Sequence, residues 1–295
     1  MFNSTQVSEK IPKDRHAPSA HTDGPYPDEA ADVLRLATRY KSAAREIKAG
    51  SDLFSLGEKG DAIYALVEGW AALYNLLEDG RRQVLQFALP GAVLAFAPAR
   101  SALMTYSAQA LTDTVVCAIT HEDLGRLARE CPEIGLRLAA LISWDRSLAY
   151  DHLSSVGRRS ARERVAHLLL ELFIRYRMRW PGHRIEEMHL PLTQEHIGDA
   201  TGLTGVHVNR VLRDLRTDGI VEFHYRRLRI LNPDKLVDAA GVDPTWLFHG
   251  SDVAPRDNGA VLHSGLRNAV PPIRRDVSSR TVAPSKSALS DICAL

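Results

Sequence analysis

The stretch that decides the reading runs from 192 to 216, LTQEHIGDATGLTGVHVNRVLRDLR. Thr193 stands where a hydroxyl can accept from the free N–H groups of a helix beginning at Gln194. Residues 194–201 give about two turns of helix, and Gly202 tolerates the left-handed backbone that ends a helix abruptly. Thr204 then caps a second helix, opening at Gly205 and reaching about Arg216. Two short helices joined through a glycine turn have helix-turn-helix geometry.

The second helix divides cleanly. Val208, Val211, Leu212 and Leu215 fall on one face and, with Ile197 and Leu203, can close a small core. Val206, Asn209, Arg210 and Arg213 fall on the other, with His207 near the helix start. Asn, His and Arg side chains offer the hydrogen-bonding groups that major-groove base edges and phosphates require. Beyond Asp218-Gly219, IVEFHYRRLRIL (220–231) carries two apolar runs around His224-Tyr225-Arg226-Arg227, a β-hairpin with a basic tip. The candidate DNA-contacting set is Thr193, Gln194, Thr204, Gly205, Val206, His207, Asn209, Arg210, Arg213 and Arg226.

Charge distribution agrees, although the chain total of +1 conceals it. Residues 158–229 hold fourteen Arg, no Lys and nine Asp/Glu, a local balance of +5, whereas 28–133 hold eleven Lys/Arg against fifteen Asp/Glu, or −4. A basic module cancelled by an acidic one suits a polyanionic partner at the basic end. A solvated arginine-rich helix face would explain the charge, but not the order of Thr cap, Gly turn and Thr cap.

Upstream, Gly57, Gly60, Gly69, Gly80 and Gly91 punctuate apolar runs such as IYALVEG, WAALYNLL and RQVLQFAL. Such spacing is that of strand plus turn in an antiparallel meander. Glu78-Asp79-Gly80 supplies a hairpin turn, and AQALTDTVVCAIT adds a late strand. From Pro132 the period becomes helical: Ile134, Leu138, Leu141, Leu148 and Val156 form one stripe. That stripe fits either a core helix or a helix lying against a twofold mate. Ser160 and Glu163 form a capping box for the next helix, whose buried face is Val165, Leu168, Leu169 and Leu172. Trp180-Pro181-Gly182 ends that unit.

Other classes are disfavoured. With 45% hydrophobic and 25% charged residues in 295, the composition is that of a globular chain with room for two domains. The start has no apolar core of signal-peptide type, and the uninterrupted apolar pieces are shorter than the ~18–20 residues a membrane span needs. No membrane association and a cytoplasmic location are therefore expected. Cys117, Cys131 and Cys293 lie far apart, without zinc spacing or a disulfide pattern. P-loop, GxGxxG, HExxH and GxSxG motifs are missing, so an enzyme is not expected. Residues 1–27 and 249–295 read as disordered tails.

Barrel, long helix and winged helix-turn-helix, in this order, resemble the Crp–Fnr family of bacterial transcription regulators over roughly residues 40–248. The resemblance rests on GEKGDAIYALVEGWAALY, on DGRRQVLQFALPG, and on LPLTQEHIGDATGLTGVHVNRVLRDLRTDGIV. It implies an α+β chain: a cyclic-nucleotide-binding-like sensor β-roll (28–132), a dimerisation helix (133–158) and a winged helix-turn-helix (159–248). It further implies a homodimer on double-stranded DNA at a palindromic promoter site, with RNA polymerase as a partner. A regulator of this architecture responding to cyclic AMP is the alternative.

Departures from the family pattern narrow the reading. Members that bind cyclic AMP carry a Gly-Glu pair, then an Arg-Ser or Arg-Thr. Here those positions resemble Ala95-Phe96 and Ser107-Ala108-Gln109-Ala110-Leu111, while Arg100-Ser101-Ala102 comes too early. Fnr-type oxygen sensors hold an iron–sulfur cluster through N-terminal cysteines, but no cysteine precedes Cys117. No cofactor is expected; twelve histidines leave a haem or metal sensor open, without a supporting spacing. Cys117 and Cys131 read as packed side chains. In the recognition helix, Fnr-like members present Glu, then Ser-Arg, where this chain has Val206, Asn209 and Arg210. Arg210 keeps a guanidinium suited to guanine, Val206 can pack on a thymine methyl, and Asn209 can bridge an adenine.

Overall fold

Strands β3 (Ala62–Glu68), β4 (Ala71–Leu76) and β5 (Arg82–Ala88) place apolar residues on both faces because both faces are covered. The protein is described by a computed structural model covering residues 44–96, 103–130, 132–179 and 187–242. The tails at 1–27 and 249–295, Arg100-Ser101-Ala102, Cys131 and Trp180-Pro181-Gly182 lie outside the described residues.

Two antiparallel four-stranded sheets form the β-roll. One has the order β1 (Ala44–Ile47), β8 (Thr114–Thr120), β3, β6 (Val93–Leu94); the other runs β2 (Asp52–Phe54), β7 (Ser107–Ala110), β4, β5. Between them lie Leu53, Phe54, Leu66, Leu73, Ala88, Ala108, Ala110 and Val116. Alternation along β4 sends Ala71 and Leu73 inward, and Ala72 and Tyr74 outward. The β4–β5 hairpin turns at Gly80, φ +83°, where the Glu-Asp-Gly run places it. The single late strand expected from AQALTDTVVCAIT is two, β7 and β8, broken where Thr112 Oγ1 accepts from the Trp70 N–H at 3.0 Å.

The outer face of the first sheet is covered by helices. Ile63, Ala65, Cys117 and Ile119 pack against Leu127 of α1 (His121–Glu130) and Ile134, Leu138 and Leu141 of α2 (Glu133–Arg158). Of the apolar stripe that fitted either core or dimer contact, Ile134, Leu138 and Leu141 meet the chain's own barrel, Leu148 packs with Trp144, and Val156 is half-buried. A different face of α2 stays bare, with Leu136, Tyr150 and Leu153 exposed by 76%, 63% and 69%. Cys117 is buried in this layer, and burial pushes its thiol up.

The outer face of the second sheet carries the C-terminal module. Trp70, Ala72, Tyr74, Val84, Phe87 and Leu89 share one core with α3 (Ala161–Arg179), α4 (Gln194–Thr201) and α5 (Gly205–Thr217). The expected capping box opens α3, the Ser160 N–H donating to Glu163 at 2.6 Å. Buried polar pairs sit where α2 meets α3: His167 with Asp151 at 2.5 Å, and Arg175 with Glu171 at 2.9 Å. Two elements went unread in the sequence. Strand β9 (Glu187–His189) makes the β10 (Val221–His224)–β11 (Arg227–Ile230) hairpin a three-stranded sheet, and α6 (Pro233–Ala240) packs on α3.

At Gly69, φ is +88° and an added Cβ would meet Thr114 Oγ1 at 2.5 Å and the Asp113 carbonyl at 2.6 Å. Gly69→Ala is expected to destabilise the chain by about 1–3 kcal/mol. The check is a lower urea midpoint at unchanged slope.

Candidate nucleic-acid interface

Helix α4 begins because Thr193 closes a reciprocal cap. Its Oγ1 accepts from the His196 N–H at 3.1 Å, while its own N–H donates to His196 Nδ1 at 3.3 Å. The Thr193 cap was legible in the sequence, but a capping box normally uses Glu or Gln at the third position. Here an imidazole does that work, and it can accept only with Nδ1 unprotonated. Burial, reinforced by the Arg82 guanidinium, holds His196 below the ordinary imidazole value.

Helix α4 ends at Gly202, φ +68°, in the left-handed turn expected there. Leu203 donates back to the Gly198 carbonyl at 3.0 Å. Sequence reasoning missed Gly198, whose Cβ would lie 2.5 Å from the Leu203 oxygen. The turn is that tight because the two helices must cross closely. The one available signal was a glycine inside an otherwise good helix. Thr204 then caps α5, accepting from the His207 N–H at 3.3 Å.

Val208, Val211, Leu212 and Leu215 are buried, as their spacing required. Val206, His207, Asn209, Arg210 and Arg213 are exposed, with Val206 at 76%. Gln194 is exposed at the start of α4 and accepts from Asn209 Nδ2 at 3.1 Å, so these two polar residues form one surface. Gly205 opens α5 half-buried, and Thr193 is likewise half-buried.

The arginines separate into two groups. Arg162 pairs with Asp218, Arg216 with Glu222 at 3.2 Å, and Arg227 with Glu187 at 2.7 Å. Arg210, Arg213 and Arg226 have no ion-pair partner among the described residues. Unneutralised guanidinium groups on an exposed face are suited to phosphate or guanine. Arg226 lies with Tyr225 in the β10–β11 turn, at φ +61° and +48°. Both residues hold the left-handed backbone of a tight hairpin turn without a glycine, which costs about 1–3 kcal/mol each and keeps the two large side chains at the tip.

Comparison with known proteins agrees with this geometry. A Crp-like helix-turn-helix domain model matches residues 163–239, and a cyclic nucleotide-binding domain model matches 44–131. The chain is 32% identical over 209 residues to the transcriptional activatory protein AadR of Rhodopseudomonas palustris, covering 71% of this chain and 84% of the relative. It is 33% identical over 187 residues to the nitrogen fixation regulation protein FixK of Bradyrhizobium diazoefficiens, covering 63% and 77%. The solved structure of FixK2 from Bradyrhizobium japonicum superposes with a TM-score of 0.61 at 30% identity, covering 68% of this chain and 98% of that one. The chain belongs to the Crp–Fnr family. It is a DNA-binding transcription regulator of α+β fold, and the relatives named are transcription regulators rather than enzymes.

The described part of the barrel interior is packed with apolar side chains. Phe54 stacks on Tyr64 at 5.8 Å and meets Tyr106 edge-on at 5.6 Å, filling the interior with Met104, Leu94 and Ala95. The Tyr106 hydroxyl accepts from the Ala95 N–H at 3.1 Å. Strand β7 sends Ala108 and Ala110 inward, where the resemblance would need an arginine. Among the described residues of the barrel, Ser107 and Thr114 are the buried polar side chains. Their hydroxyls are already used, one accepting from the Leu56 N–H and the other donating to the Thr112 carbonyl. Among the described residues, no cation lines the interior for a cyclic phosphate to meet. Among the described residues no group of three His, Cys, Asp or Glu side chains could hold a metal ion, and no helix is long and apolar enough to cross a membrane.

The His196 cap fixes the sign of a pH effect. Its folded-state pKa lies below the unfolded value of about 6.5, so its stabilisation is complete above that pH and is lost as pH falls through the folded value. Between pH 7.5 and 5.5 the wild type is expected to lose more stability than His196→Gln, whose amide can keep the cap without titrating. Chemical denaturation of both at the two pH values checks this.

Proposed function

We propose that this chain acts as a homodimer that places α5 of each subunit in successive major grooves of a palindromic site. The observation that carries the reading is the exposed face of Val206, Asn209, Arg210 and Arg213, whose arginines lack ion-pair partners while their neighbours are paired. In this reading Arg210 makes a bidentate contact with guanine, Asn209 bridges an adenine, and Val206 packs on a thymine methyl. Thr193, Gln194, Thr204, Gly205 and His207 meet backbone or base edges at the two helix starts, Arg213 meets phosphate, and Arg226 meets the flanking backbone from the wing. The Val206 position separates this half-site from that of Fnr-like members, which present a carboxylate there.

The dimer is supported by the bare face of α2, where Leu136, Ile142, Tyr150 and Leu153 are exposed on a 26-residue helix. A second copy of the same helix, related by a twofold axis, covers such a face with residues of its own kind. Residues 28–132 then form the sensor roll, 133–158 the dimer helix and 159–248 the DNA-binding module, with RNA polymerase as the further partner and the cytoplasm as the site of action. A signal reaching the roll shifts the long helices and so changes the spacing of the two recognition helices. The filled barrel interior favours a signal other than a cyclic nucleotide.

Arg210→Ala is expected to weaken binding to the selected site by about 1–3 kcal/mol and to relax preference at one base pair. Equal loss on selected and random duplexes, measured by titration at fixed salt, would contradict the base contact. Leu153→Glu puts a charge on the bare α2 face. It is expected to convert a dimer to a monomer in sedimentation experiments, with helix content unchanged.

A further inference from the structure

The last turn of α4 is held by side chains from two other elements. The Arg82 Nε on β5 donates to Asp199 Oδ2 at 2.8 Å, with the two side chains only 20% and 22% exposed. The next residue, Gln83, donates its amide to the Ala200 carbonyl at 3.4 Å. From α3, Arg164 donates through Nη1 to the Thr201 carbonyl at 3.2 Å. The Ala200 and Thr201 carbonyls belong to the helix end that lacks intrahelical donors, so these contacts satisfy groups that need partners. Three consecutive residues of α4 are thereby fixed.

Arg82 is itself fixed. Its Nη1 donates to Gln109 Oε1 at 3.0 Å, and its guanidinium lies 5.6 Å from the centre of the Tyr74 ring. The Tyr74 hydroxyl donates to Asp52 at 3.2 Å, and the Gln109 amide donates to the Gly50 carbonyl at 3.1 Å. Gln109 is half-buried on β7, between Ala108 and Ala110, which line the barrel interior. A strand that borders the interior thus reaches α4 through two side chains.

We infer that Arg82 and Asp199 are positioning residues for DNA reading: they clasp α4 to the β-roll, set the orientation of α5, and carry movements of β7 to it through Gln109. The inference rests on the proposed role of α5 as the groove helix. The reading face remains exposed while the clasp is closed, so the clasp orients that face and does not cover it.

The experiment compares the full-length wild type with Asp199→Asn, Arg82→Asp, Asp199→Arg and the charge-swapped double variant Arg82→Asp/Asp199→Arg. It measures affinity for the selected palindrome and for a duplex with one half-site scrambled, together with amide hydrogen exchange over 194–217. Asp199→Asn removes a negative charge, so bulk electrostatics alone would tighten DNA binding. The clasp predicts the opposite: about tenfold weaker binding to the palindrome, unchanged binding to the half-site duplex, and faster exchange in α4. Both single charge reversals weaken the palindrome, and the swapped pair restores it. Tighter or unaltered palindrome binding by Asp199→Asn, or a swapped pair no better than its singles, overturns the clasp. Should the wild type bind no duplex, the groove reading fails, and hydrogen exchange alone decides the clasp: unchanged exchange in α4 overturns it.

Discussion

The structure depends on the apolar seam between the outer face of the second barrel sheet and the winged module. Trp70, Val84, Phe87 and Leu89 from the sheet share a core with Leu169, Leu172, Ile197, Val208 and Leu215. Each fully buried side chain of that size contributes about 1.5–3 kcal/mol, whereas a partly exposed ion pair contributes about 0–1 kcal/mol. Apolar burial therefore decides that the module docks, and directional contacts such as Arg82 with Asp199 decide how it sits. The same seam has a second consequence. Strand β5 is the edge of its sheet, and α4 rests against it, so the helix-turn-helix unit is seated at the border of the β-roll.

Local chemistry then turns docking into presentation. Thr193, Gly202 and Thr204 fix where α4 ends and α5 begins, and Gly198 allows the two helices to approach within contact of a backbone carbonyl. With one face of α5 committed to the shared core, Val206, Asn209, Arg210 and Arg213 have nowhere to go but outward. The neighbouring acidic residues select which arginines stay available: Glu222, Asp218 and Glu187 pair with Arg216, Arg162 and Arg227 and leave Arg210, Arg213 and Arg226 without an ion-pair partner among the described residues.

Much of this was legible in the sequence because it depends on short-range rules. Caps, a glycine turn and a period of 3.6 residues place α4 and α5, and the long helix Glu133–Arg158 follows from its apolar stripe. The stripe could not say what it packs against. Ile134, Leu138 and Leu141 meet the chain's own barrel, while the exposed face carries Leu136, Tyr150 and Leu153, a looser pattern mixed with Ser, Arg and Gly. Elements defined by long-range pairing were harder. Glu187–His189 is a strand only because Arg227–Arg229 lies alongside it, and the break between β7 and β8 depends on a hydrogen bond between Thr112 and Trp70, 42 residues away. The same holds for the site: cap residues and outward faces were readable, but His196 as a capping partner, the Gly198 approach and the Arg82–Asp199 contact across 117 residues were not.

In the proposed dimer two copies of α5 read successive turns of one duplex. The direct measurement takes a palindrome selected from random DNA and varies the separation of its halves. Affinity should peak when the half-site centres are about 10–10.5 base pairs apart and collapse when about five more are inserted, which puts the second groove on the opposite side of the helix. Binding that ignores the separation, with one chain per duplex, would contradict the twofold arrangement.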